Sequence, residues 1–177
     1  MLVVLYGSSC VGKTTIMHYL RDHYKWKLVP VYTTRLIRNN ESDKIHLEKQ
    51  ELLFGKISGI YLLNECYGNY YGTPTDCLKS ASASLDNIWC LDFQYEKRYL
   101  LSPYRCYEMV VITQDRNQLI QQIYKSGRES RKDRILEEYE TIYSRIDSKI
   151  LKVINYPDRI HSTCKYINDK CNSYFGG

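Results

Sequence analysis

No apolar run in these 177 residues approaches the roughly 20 needed to carry a helix across a bilayer, so no membrane partner is expected. The chain also lacks a basic leader with a small-residue cleavage site: Met1 to Tyr6 run straight into apolar residues, and a cytoplasmic protein is expected. There is no basic tail. The formal charge is +5, and Lys and Arg alternate with Asp and Glu along most of the chain, which argues against nucleic-acid wrapping and suits small anionic ligands. Cys-x-x-Cys pairs are absent, and the seven cysteines (Cys10, Cys66, Cys77, Cys90, Cys106, Cys164, Cys171) are odd in number and scattered, so reduced thiols are expected instead of disulfides or structural zinc. The four histidines show neither triad nor metal spacing, which leaves hydrolytic chemistry without support. No Pro/Gly-rich linker, low-complexity tract or internal repeat divides the chain, and its length suits one domain with one buried core.

What is present alternates. Leu2-Val3-Val4-Leu5 is a short apolar run closed by Gly7, the pattern of a parallel strand buried on both faces. Residues 13–24 then place Ile16, Tyr19, Leu20 and His23 at helical spacing. Further strands are predicted over 27–33, 60–63, 88–93, 109–113 and 152–155, and further helices over 48–54, 75–83, 114–124 and 132–148. Such alternation predicts an α/β layered fold with a mainly parallel sheet. The less regular stretch 39–72 reads as a smaller inserted lobe of short strands.

Gly7-Ser8-Ser9-Cys10-Val11-Gly12-Lys13-Thr14 fits Gly-x4-Gly-Lys-Ser/Thr without a mismatch, between a predicted strand and a predicted helix. The glycines let successive N–H groups turn inward around a phosphate, and the helix N-terminus adds partial positive charge at the same place. Lys13 is expected to reach the β- and γ-phosphates of ATP, and the Thr14 hydroxyl to hold Mg²⁺; Thr15 completes the set in the first helical turn.

A phosphate loop alone leaves several activities open. Downstream, Tyr32-Thr33-Thr34-Arg35 with Arg38 resembles the Thr-Thr-Arg-x-x-Arg segment of guanylate kinases, and Gly68-Asn69-Tyr70-Tyr71-Gly72-Thr73 is similar to their Gly-Asn-x-Tyr-Gly-Ser/Thr segment. The strand ending in Asp92 resembles the one that carries the family's Leu-Asp-x-Asp, and Val153-Ile154-Asn155 resembles its late strand. The resemblance thus spans nearly the whole chain. It implies a P-loop kinase fold and a nucleoside monophosphate kinase that uses ATP and Mg²⁺, with GMP or dGMP the leading acceptor. It assigns Arg35, Arg38 and Tyr71 to the acceptor's phosphate, a role that suits guanidinium forks and a phenol donor. Thr34, Thr73, Asp92 and Gln94 join the acceptor set, Asp92 also stands as a Mg²⁺ contact, and Asn155 joins the ATP set. The dense charge cluster over 125–134 is similar in place to the family's lid, which implies catalytic roles for Arg128, Arg131 and Arg134.

The chain departs from the family where guanine is read. The family's base-reading Glu falls near Leu62, and its second Asp is replaced by Gln94. A phosphate-holding tyrosine has no counterpart in Asp43-Lys44-Ile45-His46-Leu47, where His46 is the candidate substitute donor. The same departures resemble ribose 1,5-bisphosphate phosphokinases, a second reading. A third is a guanylate-kinase-like binding module without catalysis, against which the intact Gly12, Lys13 and Thr14 argue.

Overall fold

The structure, a computed structural model, describes residues 1–37, 43–53 and 61–176. Its first strand, β1 (Leu2–Tyr6), is wholly buried and sits in the middle of a five-stranded sheet. Side chains alternate across a strand, so Val3 and Leu5 enter one apolar cluster while Leu2, Val4 and Tyr6 enter another. Burial on both faces is why the run carries no polar alternation.

After the glycine loop comes α1 (Lys13–Tyr24), then β2 (Lys27–Leu28), β3 (Val31–Thr33), β4 (Lys44–His46) and α2 (Lys49–Leu53). A hairpin follows, β5 (Tyr61–Cys66) and β6 (Asn69–Pro74), then α3 (Thr75–Ala83) and β7 (Trp89–Asp92). The chain continues through a 3-10 segment (Tyr95–Leu101), β8 (Cys106–Thr113), α4 (Arg116–Lys125), α5 (Lys132–Arg145), β9 (Leu151–Asn155) and α6 (Ile160–Phe175). The larger sheet runs β2-β7-β1-β8-β9, with every pairing parallel. Side chains of α1, α4, α5 and α6 cover one face, and those of α3, the 3-10 segment and the end of α5 cover the other. This is an α/β P-loop kinase architecture. A second sheet, β4-β3-β6-β5, pairs β3 with β4 in parallel and β6 antiparallel to both β3 and β5.

Strand β6 and the 3-10 segment Tyr95–Leu101 add to the expected elements, β8 begins earlier and α5 ends earlier than expected, and two further differences change the architecture. The strand expected over 27–33 is broken at Pro30, which has no N–H to give a ladder. Before it, Lys27, Leu28 and Val29 follow β7, with the Val29 N–H on the Cys90 carbonyl at 2.9 Å; after it, β3 belongs to the other sheet. Helix α6 was not expected at all. Its buried stripe is Thr163, Cys164, Ile167 and Cys171, in which cysteine serves as a small apolar side chain. Of the expected elements, Phe54 and Ile60 lie outside the described residues. No described helix is long and apolar enough to cross a membrane.

Candidate active site

The glycine loop leaves the carboxyl end of β1, where open α/β sheets bind ligands. Gly7 and Gly12 sit at φ +143° and +94°, and a Cβ on Gly7 would lie 2.5 Å from the Val111 carbonyl oxygen. The loop therefore needs glycine for both conformation and clearance. No side chain caps α1 and no acidic residue occupies its first turn, so its leading N–H groups and positive end stay available to an anion. Lys13, nine-tenths buried, folds across the loop: its Nζ donates to the Gly7 and Ser8 carbonyls at 2.6 and 2.9 Å and lies 3.7 Å from Asp92 Oδ1.

A cleft of about 720 Å³ opens over this loop, lined from it by Gly7, Ser9, Cys10, Gly12, Lys13, Thr14 and Thr15. Ser8 and Val11 are buried beneath and support the loop from behind. Asn155 is placed behind it too: its amide donates to the Val11 carbonyl at 2.9 Å, and it is 3% exposed.

The second sheet supplies the opposite wall. Strand period two puts Leu62, Asn64 and Cys66 on the inner face of β5, across the ladder from Thr73, Tyr71 and Asn69 in turn. Asn64, Cys66, Tyr71 and Thr73 line the cleft together with Arg35, Asp92 and Gln94. Arg35 follows β3, its N–H bonded to Thr33 Oγ1 at 3.1 Å and its guanidinium to the Leu36 carbonyl at 2.8 Å. Thr34 acts on the backbone, where its hydroxyl accepts the Tyr70 N–H at 3.0 Å and joins β3 to β6. Gln94 donates to the Glu65 carbonyl at 2.9 Å, tying the end of β7 to the hairpin. Arg38 lies outside the described residues.

The charged segment after α4 closes the third side. Arg128 and Arg131 line the cleft, and Arg128 Nη1 lies 3.4 Å from Cys10 Sγ, which is also 3.4 Å from Ser126 Oγ. Arg134 is stacked on Tyr67, 4.6 Å from the ring centroid. Tyr67 and Gly68 form the two-residue turn of the β5–β6 hairpin, both with positive φ (51° and 76°), as such tight hairpins require.

No protein-family model matches the chain, and no curated protein matches its sequence. Among solved structures, the guanylate kinase from Anaplasma phagocytophilum matches with a TM-score of 0.68, over 98% of this chain and 85% of that one, at 17% identity. The fold is guanylate kinase-like. At that identity the likeness establishes architecture and leaves activity to the site itself.

Within this guanylate kinase-like frame, several cleft residues escaped the sequence reading. Lys44, not His46, lines the cleft; His46 Nδ1 instead contacts the Arg35 carbonyl at 3.1 Å. Lys44 Nζ is 2.7 Å from Asp43 Oδ2, and Asp43 Oδ1 is 3.7 Å from His18 Nε2, another cleft residue. Asp43 is 5% exposed, so its carboxylate lies beneath the cleft wall between Lys44 and His18. Asn64, Tyr67, Gln122 and Glu138 also line the cleft, and none belongs to a recognisable motif. Among the described residues no cluster of His, Cys, Asp or Glu forms a metal cage of protein ligands alone.

Proposed function

We propose that this chain transfers the terminal phosphoryl group of ATP to a small phosphorylated acceptor, a nucleoside monophosphate. One observation carries the reading: a single cleft is lined on one side by Gly7, Ser9, Cys10, Gly12, Lys13 and Thr14 of the glycine loop, and on the other by Arg35, Tyr71 and Thr73. Donor and acceptor anions would lie in one enclosure, which is what direct in-line transfer needs. Without Cβ atoms the glycine loop packs directly on the Val111 carbonyl and the Asn155 amide, and its backbone N–H groups with the uncapped start of α1 suit a phosphate chain.

Thr14 and Asp92 fit Mg²⁺ in this reading, a hydroxyl and a carboxylate opening on the same cleft and leaving the remaining positions to phosphate oxygens and water. Mg²⁺, when bound, neutralises charge between the phosphates. Lys13 holds the β- and γ-phosphates, Arg35 and Tyr71 hold the acceptor phosphate, and Arg128 and Arg131, with Arg134 beside them, form a lid that counters charge and excludes water. Arg38 and Asn155 remain in the proposed acceptor and ATP sets. No general base is required, because the acceptor atom is already an anionic oxygen.

GMP and dGMP head the acceptor candidates through the family resemblance. Lys44 and His18 favour a second acceptor class, a sugar bisphosphate such as ribose 1,5-bisphosphate, because both line the same cleft as Arg35 and add donor groups to it, with Asp43 orienting them from beneath. The test is ADP release from ATP·Mg²⁺ against all ribo- and deoxyribonucleoside monophosphates and ribose 1,5-bisphosphate. One acceptor should give turnover. Lys13→Ala should lower kcat at least about 100-fold, and Arg35→Ala should raise the acceptor KM about 10-fold, the worth of one charge-assisted hydrogen bond. A fully active Lys13→Ala enzyme would end the proposal. Magnesium-dependent ATP binding without turnover would favour an unlisted acceptor, and no ATP binding would favour the non-catalytic module.

A further inference from the structure

The proposed reaction gives no role to Tyr67 or Glu138, yet together these two residues contact two arginines of the charged segment and the glycine loop. The Tyr67 ring carries two guanidinium groups, with Arg134 at 4.6 Å and Arg131 at 5.3 Å from its centroid. Its hydroxyl donates to Glu138 Oε2 at 2.7 Å. The same carboxylate oxygen accepts the Ser9 N–H of the phosphate loop at 3.3 Å. One oxygen of α5 thereby joins the hairpin turn to the phosphate loop, and one aromatic ring joins that turn to both arginines.

The chemistry of these contacts is directional. Burial first, and then the contact with Glu138, raise the Tyr67 phenol above its ordinary range, so it stays protonated and donates. A ring face attracts a guanidinium, and two arginines on one ring give up rotamer freedom that each would otherwise lose during the reaction. The ring is itself fixed: the tight turn sets its backbone and Glu138 holds its hydroxyl. Platform, tether and loop therefore form one unit.

We infer that Tyr67 and Glu138 are positioning residues that hold Arg131 and Arg134 beside the phosphate loop, ordered before the acceptor arrives; the inference rests on the phosphoryl-transfer reading. Neither residue touches the reacting atoms. Their effect passes through the two arginines, so it falls on kcat and on the share of ATP lost to water, and little on ATP affinity.

The experiment compares native protein with Tyr67→Phe, Tyr67→Leu and Glu138→Ala, each first shown to melt cooperatively. Transfer kcat, KM for ATP and acceptor-independent ATP hydrolysis are measured on each. Tyr67→Leu and Glu138→Ala should lower kcat about 10- to 100-fold, the scale of a small misplacement of charged groups. Both should raise hydrolysis relative to transfer while ATP KM changes less than about 2-fold. Tyr67→Phe keeps the ring and should fall between these and native.

A second readout needs no activity. Cys10 Sγ is half-buried beside Ser126 Oγ and Arg128 Nη1, so a loosened lid should expose it further. Alkylation of Cys10 by iodoacetamide, followed by peptide mass spectrometry, should be several-fold faster in Glu138→Ala, with Cys77 of α3 as the reference thiol in the same sample. Unchanged kcat overturns the inference whether or not Cys10 labelling accelerates, and a raised kcat would make Glu138 a brake and overturn it too. If native protein turns over no acceptor, the functional reading falls, and Cys10 labelling alone then decides whether Glu138 holds the lid.

Discussion

Gly12 shows how tightly single residues are specified around the loop. Its φ of +94° is strained for any L side chain, and a methyl group there would lie 2.2 Å from the Asn155 amide, breaking that amide's bond to the Val11 carbonyl. Gly12→Ala should therefore lower stability by about 1–3 kcal/mol, the range for a non-glycine residue in the left-handed region. Urea unfolding measures it, and an unshifted midpoint would mean that the loop relaxes at no cost. Residues of this kind were legible because the loop is contiguous and each position has a separate physical reason. His18, Asp43, Lys44 and Asn64 were not. They come from α1, from the turn into β4 with β4 itself, and from β5, and only folding brings them to one cleft. Tyr67 was hidden for another reason: in a chain with 18 tyrosines, nothing local marks the one that carries two arginines.

Among the elements, α6 and the β2/β3 pair are the instructive cases. Helix α6 closes the sheet face that α1 also covers, with Cys164, Ile167 and Cys171 fully buried and Asn168 accepting from the Trp26 indole at 3.2 Å. Its interior positions are two cysteines, a threonine and one isoleucine, a stripe too weak in hydropathy to stand out by periodicity. The burial is nonetheless complete, so Ile167→Ala should cost about 2–4 kcal/mol in urea unfolding. Because α6 contributes nothing to the cleft lining, the acceptor KM should stay unchanged; a raised KM would show that α6 supports the site as well as the fold. By contrast β1, β7 and the second half of β8 were legible as apolar runs buried on two faces, and the edge strand β9 by its alternation, with Val153 and Asn155 buried and Lys152 and Ile154 exposed. The passage from β2 to β3 looked like one strand because apolar pattern carries no information about which sheet a residue joins. Pro30 marked the break, yet its consequence, a change of sheet, is a tertiary fact.

At the scale of the whole molecule, two sheets face each other across one cleft, and the buried thiols record how completely the larger sheet is covered. Burial pushes Cys164 and Cys171 up to about 12, against 9.0 for a free thiol. Both pKa values are raised in the folded state, so their contribution is fully present below pH 9 and is lost progressively as pH climbs from about 9 towards 12, where the unfolded chain releases protons that the folded chain keeps. Under reducing conditions, urea stability should fall between pH 7.5 and pH 10 by roughly 1 kcal/mol per thiol. The double variant Cys164→Ala, Cys171→Ala should flatten that slope, and an unchanged slope would place the alkaline loss elsewhere. The sequence by itself determined the α/β class, the glycine loop between β1 and α1 and most of the parallel strands, because these depend on near neighbours: a glycine pattern, an apolar strand, a helix stripe. Tertiary structure alone decided that Lys44 lines the cleft in place of His46, that Asn155 braces the loop from behind, and that Glu138 reaches both Ser9 and Tyr67. Those contacts join residues far apart along the chain, and their geometry exists only once the two sheets and the helices between them are packed.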